Sequence, residues 1–348
     1  VSNLLSLEDR ARAVLDPAAF AYVAGGADEE LTLADNVAAW NRYRFRPHTL
    51  RNVSAVDLTT TVLGQPIAAP FLVAPTAYHQ LAHPQGEAAT VRGVARAGSI
   101  MIVSTMATQS MEAVAAAAPN SVRWFQLYVH SDRELTTALL RRAEAAGYRA
   151  LVLTVDVPRL GRRLRNGPDG FSLPPGVEAA NLVGRDHSNL AAYAAESFDA
   201  SLTFEAVEWL RGQTNLPVVV KGVLRGDDAT ACVDAGAAAI VVSNHGGRQL
   251  DGAIATADAL PEVVAAVAGR AEVYVDGGIR RGTDVLRALA LGARAVLLGR
   301  SVLWGLALDG DEGVRNVLVE FATETEAAFA LAGVASCAEV TPDLVVAR

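Results

Sequence analysis

Eight short runs of β-branched and apolar residues recur between positions 70 and 300, and stretches with helical periodicity separate them. The runs are PFLVAP (70–75), IMIVST (100–105), VRWFQLY (122–128), ALVLTVD (150–156), PVVVKG (217–222), AAIVVSN (238–244), EVYVDGG (272–278) and AVLLGR (295–300). DRELTTALLRRAEAAG and GTDVLRALALGA typify the segments between them. Strands that alternate with helices pair in parallel through crossover connections, and eight repeats predict a closed (β/α)8 TIM barrel of the α/β class. An open doubly wound sheet is the alternative, but it usually carries an early G-x-G-x-x-G turn, and none follows the first run.

This pattern makes the chain, residues 1–348, one barrel domain. Residues 1–65 are expected to form a helical lid segment with a small β element in VDLTTTVLGQPIAAP. Residues 66–348 form the barrel, and 157–202, rich in Gly, Pro, Asn and Asp, is a mobile loop after the fourth strand. The net charge of −8 and the lack of any Lys/Arg block argue against a nucleic-acid partner. No apolar run reaches the roughly 18–20 residues of a membrane span. Cys232 and Cys337 have no metal or redox spacing, and the amphipathic VSNLLSLEDRARAVL is no signal peptide, so a cytoplasmic enzyme is expected.

In a barrel, chemistry belongs where strands end, at the carboxyl face. Those ends carry Ser104, Gln126, Tyr128, Thr154, Asp156, Lys221, Ser243, His245, Asp276 and Arg300. Lys221 is the single lysine beside twenty-nine arginines. Chance could leave one lysine, but its place at a strand end suggests a confined site needing a compact ammonium. The glycine-rich ends DGGIRRG and GRSVLWG expose backbone N–H groups at helix starts, with Arg280 and Arg300 adding charge. That is the usual phosphate seat of barrels, against the blander reading of tight turns with solvated arginines.

The hydroxyl, amide and ammonium groups of Ser104, Gln126, Thr154 and Lys221 suit a flat heterocycle with several carbonyls, such as a flavin. Asp276 could accept a bond from a ribityl hydroxyl. In SNHGGRQLDG (243–252), His245 could act as a base near neutral pH with Asp156 holding its second nitrogen, and Arg248 offers a fork for a carboxylate. Arg163 in LGRRLR is either a second carboxylate ligand or a solvated loop residue. His79, His83, His130 and His187 lack metal-ligand spacing and are read as structural.

With these residues in place, the chain resembles the FMN-dependent 2-hydroxy-acid oxidases and dehydrogenases, from AYVAGGADEELTLADN to the C-terminal helices, SNHGGRQLDG being their signature. The resemblance implies FMN as cofactor and His245 as active-site base, with Asp156 its partner. It implies Arg248, Arg163 and Tyr22 on the substrate carboxylate and Tyr128 on the substrate oxygen. Lys221 would lie at flavin N1/O2. Gln126, Thr154, Ser104 and the Pro75-Thr76-Ala77 backbone would contact the ring or ribityl chain, with Ser243 nearby. Asp276, Gly278, Arg280, Gly299 and Arg300 would seat the ribityl phosphate.

Two departures bear on substrate. Met106 stands in TMAT where glycolate oxidases carry Trp, and APTAYHQLAHPQGE is nearer the 4-hydroxymandelate oxidase type. Met106 and Ala77 would leave room for a bulky, mandelate-like (S)-2-hydroxy acid. No haem domain precedes the barrel and the 157–202 loop lacks a long apolar insertion, so molecular oxygen is the expected acceptor, giving hydrogen peroxide. The alternatives are a lactate- or glycolate-type substrate, a quinone or protein acceptor, and, from another class, a redox-neutral FMN barrel isomerase. A homotetramer or larger assembly is expected.

Overall fold

Every one of the eight runs forms a strand of a closed parallel barrel: Phe71–Val73, Met101–Val103, Arg123–Leu127, Leu151–Thr154, Val218–Val223, Ala239–Val242, Glu272–Val275 and Ala295–Leu298. Strands pair in chain order, and Leu298 opposite Val73 closes the ring. The computed structural model describes residues 3–167, 171–182 and 190–348. Seven of the strands stop short of the carboxyl end of their runs, and the fifth, Val218–Val223, keeps Lys221 within the strand.

Side chains alternate between two buried environments, which is why the runs are apolar throughout rather than every second residue. Leu72, Ile102, Trp124, Val152, Val219, Val241, Tyr274 and Leu297 pack together inside the barrel. Phe71, Val103, Phe125, Leu153, Val220, Val242 and Val275 face the surrounding helices. Those helices form for local reasons. In Arg133–Ala145, Asp132 Oδ1 accepts the backbone N–H groups of Glu134 and Leu135, both at 3.1 Å. Thr136, Leu139, Leu140 and Ala143 then recur on the buried face.

The N-terminal segment divides between the barrel's two ends. A hairpin, Thr60–Val62 with Gln65–Ile67, caps the amino end, and Val62 and Ile67 join the interior cluster. Gln65 Oε1 accepts Trp124 Nε1 at 2.9 Å. Helices Pro17–Ala24 and Leu31–Ala39 cover the carboxyl end instead. There Asn36 and Asn244 exchange two amide hydrogen bonds of 2.8 Å, and Trp40 Nε1 donates to Gly277 O at 2.9 Å.

Two features depart from the expected layout. Tyr43–Phe45 pairs antiparallel with Val345–Ala347, joining residues some 300 positions apart. The 157–202 segment holds a helix, Leu190–Ser197, whose alanine-rich sequence favours that state. His187 lies outside the described residues. Among those described, no helix is long and apolar enough to cross a membrane, and no cluster of metal-ligating side chains occurs.

Candidate active site

The carboxyl end of the barrel holds a cavity of about 660 Å³. Its wall includes Pro75, Thr76, Ala77, Ser104, Met106 and Tyr128 from the first three strand ends. Lys221, His245, Arg248, Asp276, Gly278, Arg280, Gly299 and Arg300 line it from the last four, and Tyr22 and Arg163 reach in from the lid and loop. The expected residues that do not line it, Gln126, Thr154, Ser243 and Asp156, stand directly behind those that do.

His245, Gly246 and Gly247 have successive positive φ values of 59°, 65° and 74°. This left-handed run is what the two glycines make cheap, and it turns the imidazole back over the barrel mouth. His245 Nδ1 lies 2.9 Å from Asp156 Oδ1. Burial first, then Lys221 and Arg163, hold the imidazole below its ordinary pKa of 6.5, with Asp156 opposing them. Burial alone would raise the Asp156 carboxyl, but His245 and Lys221 outweigh it and keep the group ionised. The pair is thus a neutral base backed by a fixed negative charge.

Lys221 is fully enclosed, its Nζ donating to Ser243 Oγ at 2.9 Å and lying 3.3 Å from Asp276 Oδ2. Burial opposes its charge, yet Asp276 and Asp156 raise its pKa above the ordinary value. Ser243 Oγ also accepts His245 N at 3.1 Å, so one hydroxyl orients both the ammonium and the base loop. Next along the floor, Gln126 Nε2 donates to Thr154 Oγ1 at 3.1 Å, while its Oε1 accepts Thr105 N at 3.1 Å and Ser104 Oγ at 3.3 Å.

Two observations fit the expected FMN. Asp276 Oδ1 is buried without a hydrogen-bond partner among the described residues, an acceptor awaiting a hydroxyl. Beside it Arg248, Arg280 and Arg300 are enclosed together, and burial, reinforced at Arg300 by the neighbouring guanidinium groups, lowers each pKa. An anion such as a phosphate relieves that repulsion. Gly277 and Gly278, at φ 92° and 75°, make the turn; a Cβ on Gly278 would fall 1.9 Å from Asn36 O.

Arg300 does more than the sequence indicated. Its Nε, NH1 and NH2 donate to the carbonyls of Val23, Gly246 and Gly25, each at 3.0 Å, tying the lid helix to the signature loop. Arg248 NH1 likewise bonds Tyr22 O and Gly25 O, both at 2.8 Å, and its guanidinium lies 5.1 Å from the Tyr22 ring centre. Arg163 is partly buried and lines the cavity. Its Nε is buried without a partner among the described residues, and burial, then Arg248, pushes its pKa down to about 9. Two enclosed cations therefore share one wall near His245, which is what a carboxylate ligand requires.

Sequence reasoning missed Phe171, Phe198 and Gln249. Phe171 stacks on Tyr22 at 4.3 Å and Phe198 on Tyr128 at 4.4 Å, completing two aromatic walls. Both sit in the irregular 157–202 stretch, where no periodicity marks a residue as inward-facing. Gln249 had a signal, its place beside Arg248 in the signature. The structural reading of three histidines agrees with their settings: His79 lies between Thr76 Oγ1 (2.6 Å) and Thr90 Oγ1 (2.8 Å), His83 Nδ1 accepts Gln85 N at 3.2 Å, and the His130 ring packs edge-on to Phe198.

Comparison with known proteins finds relatives over nearly the whole chain. A family model described as FMN-dependent dehydrogenase matches residues 11–347. An L-lactate oxidase of Nostoc sp. is 52% identical over 343 residues, covering 95% of this chain and 94% of that protein. The 2-hydroxyacid oxidase 1 of Homo sapiens is 48% identical, covering 94% and 91%. A mandelate oxidase solved with (S)-4-hydroxymandelic acid superposes with a TM-score of 0.95 at 45% identity, covering 99% of this chain and 98% of that one.

Proposed function

Because the chain belongs to the FMN-dependent dehydrogenase family and is an FMN-dependent 2-hydroxy-acid oxidase, we propose that its substrates are bulky (S)-2-hydroxy acids of the mandelate kind. The reaction is 2-hydroxy acid plus O2 to 2-oxo acid plus H2O2. The observation that carries the reading is the convergence of the His245–Asp156 pair with Arg163 and Arg248 on one cavity beside Lys221. An isomerase acting on a diphosphate needs cations where this site has a proton-accepting pair.

Arg248 and Arg163 hold the substrate carboxylate, orienting C2 toward His245. His245 Nε2 accepts the proton released as the alcohol is oxidised, while Asp156 stabilises the imidazolium that forms. Tyr128, whose hydroxyl burial keeps protonated, donates to the substrate oxygen. Lys221 would help hold FMN, its ammonium supplying a fixed positive charge at the cavity wall. FMN, when bound, would supply the two-electron acceptor.

The oxidase relatives support O2 as acceptor. The aromatic walls Tyr22–Phe171 and Tyr128–Phe198, with buried Met106 and the small Ala77, support a large substituent on C2. The similarity to the L-lactate oxidase favours a second reading, a lactate-sized substrate. A panel of mandelate, 4-hydroxymandelate, lactate and glycolate, followed by oxygen uptake and peroxide release, separates the two. Mandelates are expected to exceed glycolate in kcat/KM by about tenfold or more, since burying apolar atoms in such a pocket is worth about 1–3 kcal/mol per methylene-sized step. Met106→Trp is expected to narrow that gap. Glycolate as the best substrate refutes the size argument, and turnover without peroxide refutes the acceptor.

A further inference from the structure

Gln249 follows the carboxylate-facing Arg248, but its side chain turns away from the cavity and spends both ends of its amide on one neighbouring segment. Nε2 donates to Asp156 O and to Arg159 O, both at 2.8 Å. Oε1 accepts Gly161 N at 3.2 Å and faces Arg163 NH2 at 3.4 Å. The four contacts span the stretch that begins at the base's partner and ends at the second carboxylate cation. Gly161 lets this stretch lie flat on the signature loop, since a Cβ there would come 2.5 Å from the carbonyls of both Arg248 and Gln249.

Arg163 depends on this arrangement. Among the described residues its guanidinium has no carboxylate partner, and Gln249 is its one side-chain hydrogen-bond contact. Asp156 does not depend on it in the same way, because its carboxylate is fixed separately by His245. We propose that Gln249 is the positioning residue of the carboxylate clamp, pinning the backbone from Asp156 to Gly161 so that Arg163 faces Arg248 across a single carboxylate. This rests on the reading of Arg163 and Arg248 as that clamp.

The consequence is specific. Losing the amide loosens Arg163 and weakens binding of the charged end of a ligand, while proton transfer to His245 and the FMN seat are untouched. The site's charge recognition and its acid–base chemistry are therefore separable by one side chain.

The test uses the FMN-loaded enzyme, with phenylacetate as an unreactive carboxylate and phenylacetamide as its neutral counterpart, each titrated by the change in the flavin spectrum. Gln249→Met keeps the side chain's length and packing but removes its hydrogen bonds. It is expected to raise the Kd of phenylacetate about tenfold, the scale of one or two lost hydrogen bonds. The Kd of phenylacetamide and the FMN content are expected to hold. Gln249→Glu, whose carboxylate competes for Arg163, is expected to weaken phenylacetate at least as much. In an Arg163→Met background, Gln249→Met is expected to change phenylacetate binding by less than about twofold, the non-additivity of two residues acting as one. Equal weakening of the amide, or a full effect in the Arg163→Met background, overturns the proposal. If Arg163→Met alone leaves phenylacetate binding intact, the clamp reading itself is wrong and the proposal goes with it.

Discussion

Replacing Asp156 by Asn removes one negative charge and leaves the shape of the site in place. The amide oxygen can still accept from His245 Nδ1, so the imidazole keeps its orientation and what is lost is the charge facing the imidazolium. Nδ1 and Oδ1 are 2.9 Å apart and both side chains are largely buried, which puts the delocalised charges on the order of 4 Å apart. At an effective dielectric of about 20, a unit charge at that separation is worth about 4 kcal/mol. Since about 1.4 kcal/mol is tenfold in rate, and the retained hydrogen bond offsets part of the loss, flavin reduction should slow by about 10²–10³-fold. The pH dependence moves in a defined direction. His245 must be neutral to accept a proton, so kcat/KM of the parent rises with pH through a pKa below 6.5, where burial, Lys221 and Arg163 hold it. Asp156 is the group that raises that pKa, so its removal shifts the acidic limb to still lower pH while the plateau falls. Anaerobic stopped-flow reduction by mandelate between pH 5 and 9 measures both. A plateau within about fivefold of the parent, or a limb displaced to higher pH, refutes the assignment of base and partner.

Lys221→Arg is expected to lower FMN retention and slow flavin reduction, because the ammonium occupies an enclosed gap between Ser243 and Asp276 that a planar guanidinium overfills; parent-like flavin content and reduction rate would rule this out. Gly278→Ala is expected to abolish FMN binding, since the new methyl would meet Asn36 O at 1.9 Å from a backbone at φ 75°. A yellow, active Gly278→Ala enzyme would show that this turn can move.

The barrel was legible because each strand is buried on both faces and so writes a continuous apolar run. Polar residues near the carboxyl ends of most runs marked the site, because the middles of these runs are largely apolar. Asp156 and Lys221 fall in these runs and His245 directly follows one; the structure sets Asp156 against His245, and the Asp156 charge also acts on Lys221. What the sequence hid were bonds to backbone. No residue pattern says that the carbonyls of Val23, Gly25 and Gly246 need donors, so the joining action of Arg300 was invisible. Three-residue strands such as Tyr43–Phe45 and Val345–Ala347 are too short for a periodic signal, and only their pairing defines them. Phe171 and Phe198 were hidden by irregular chain around them.

The same long-range ties set a schedule for making the enzyme. The ring closes only when Leu298 reaches Val73, the lid helix is fastened by Arg300, and Val345–Ala347 comes to rest on Tyr43–Phe45. Every one of these joins residues far apart in the chain. Contacts of such sequence separation form slowly, and the early strands wait with open edges until their partners exist. The walls that would hold FMN come from both the first and the last strands, so the cavity is complete only once the ring has closed.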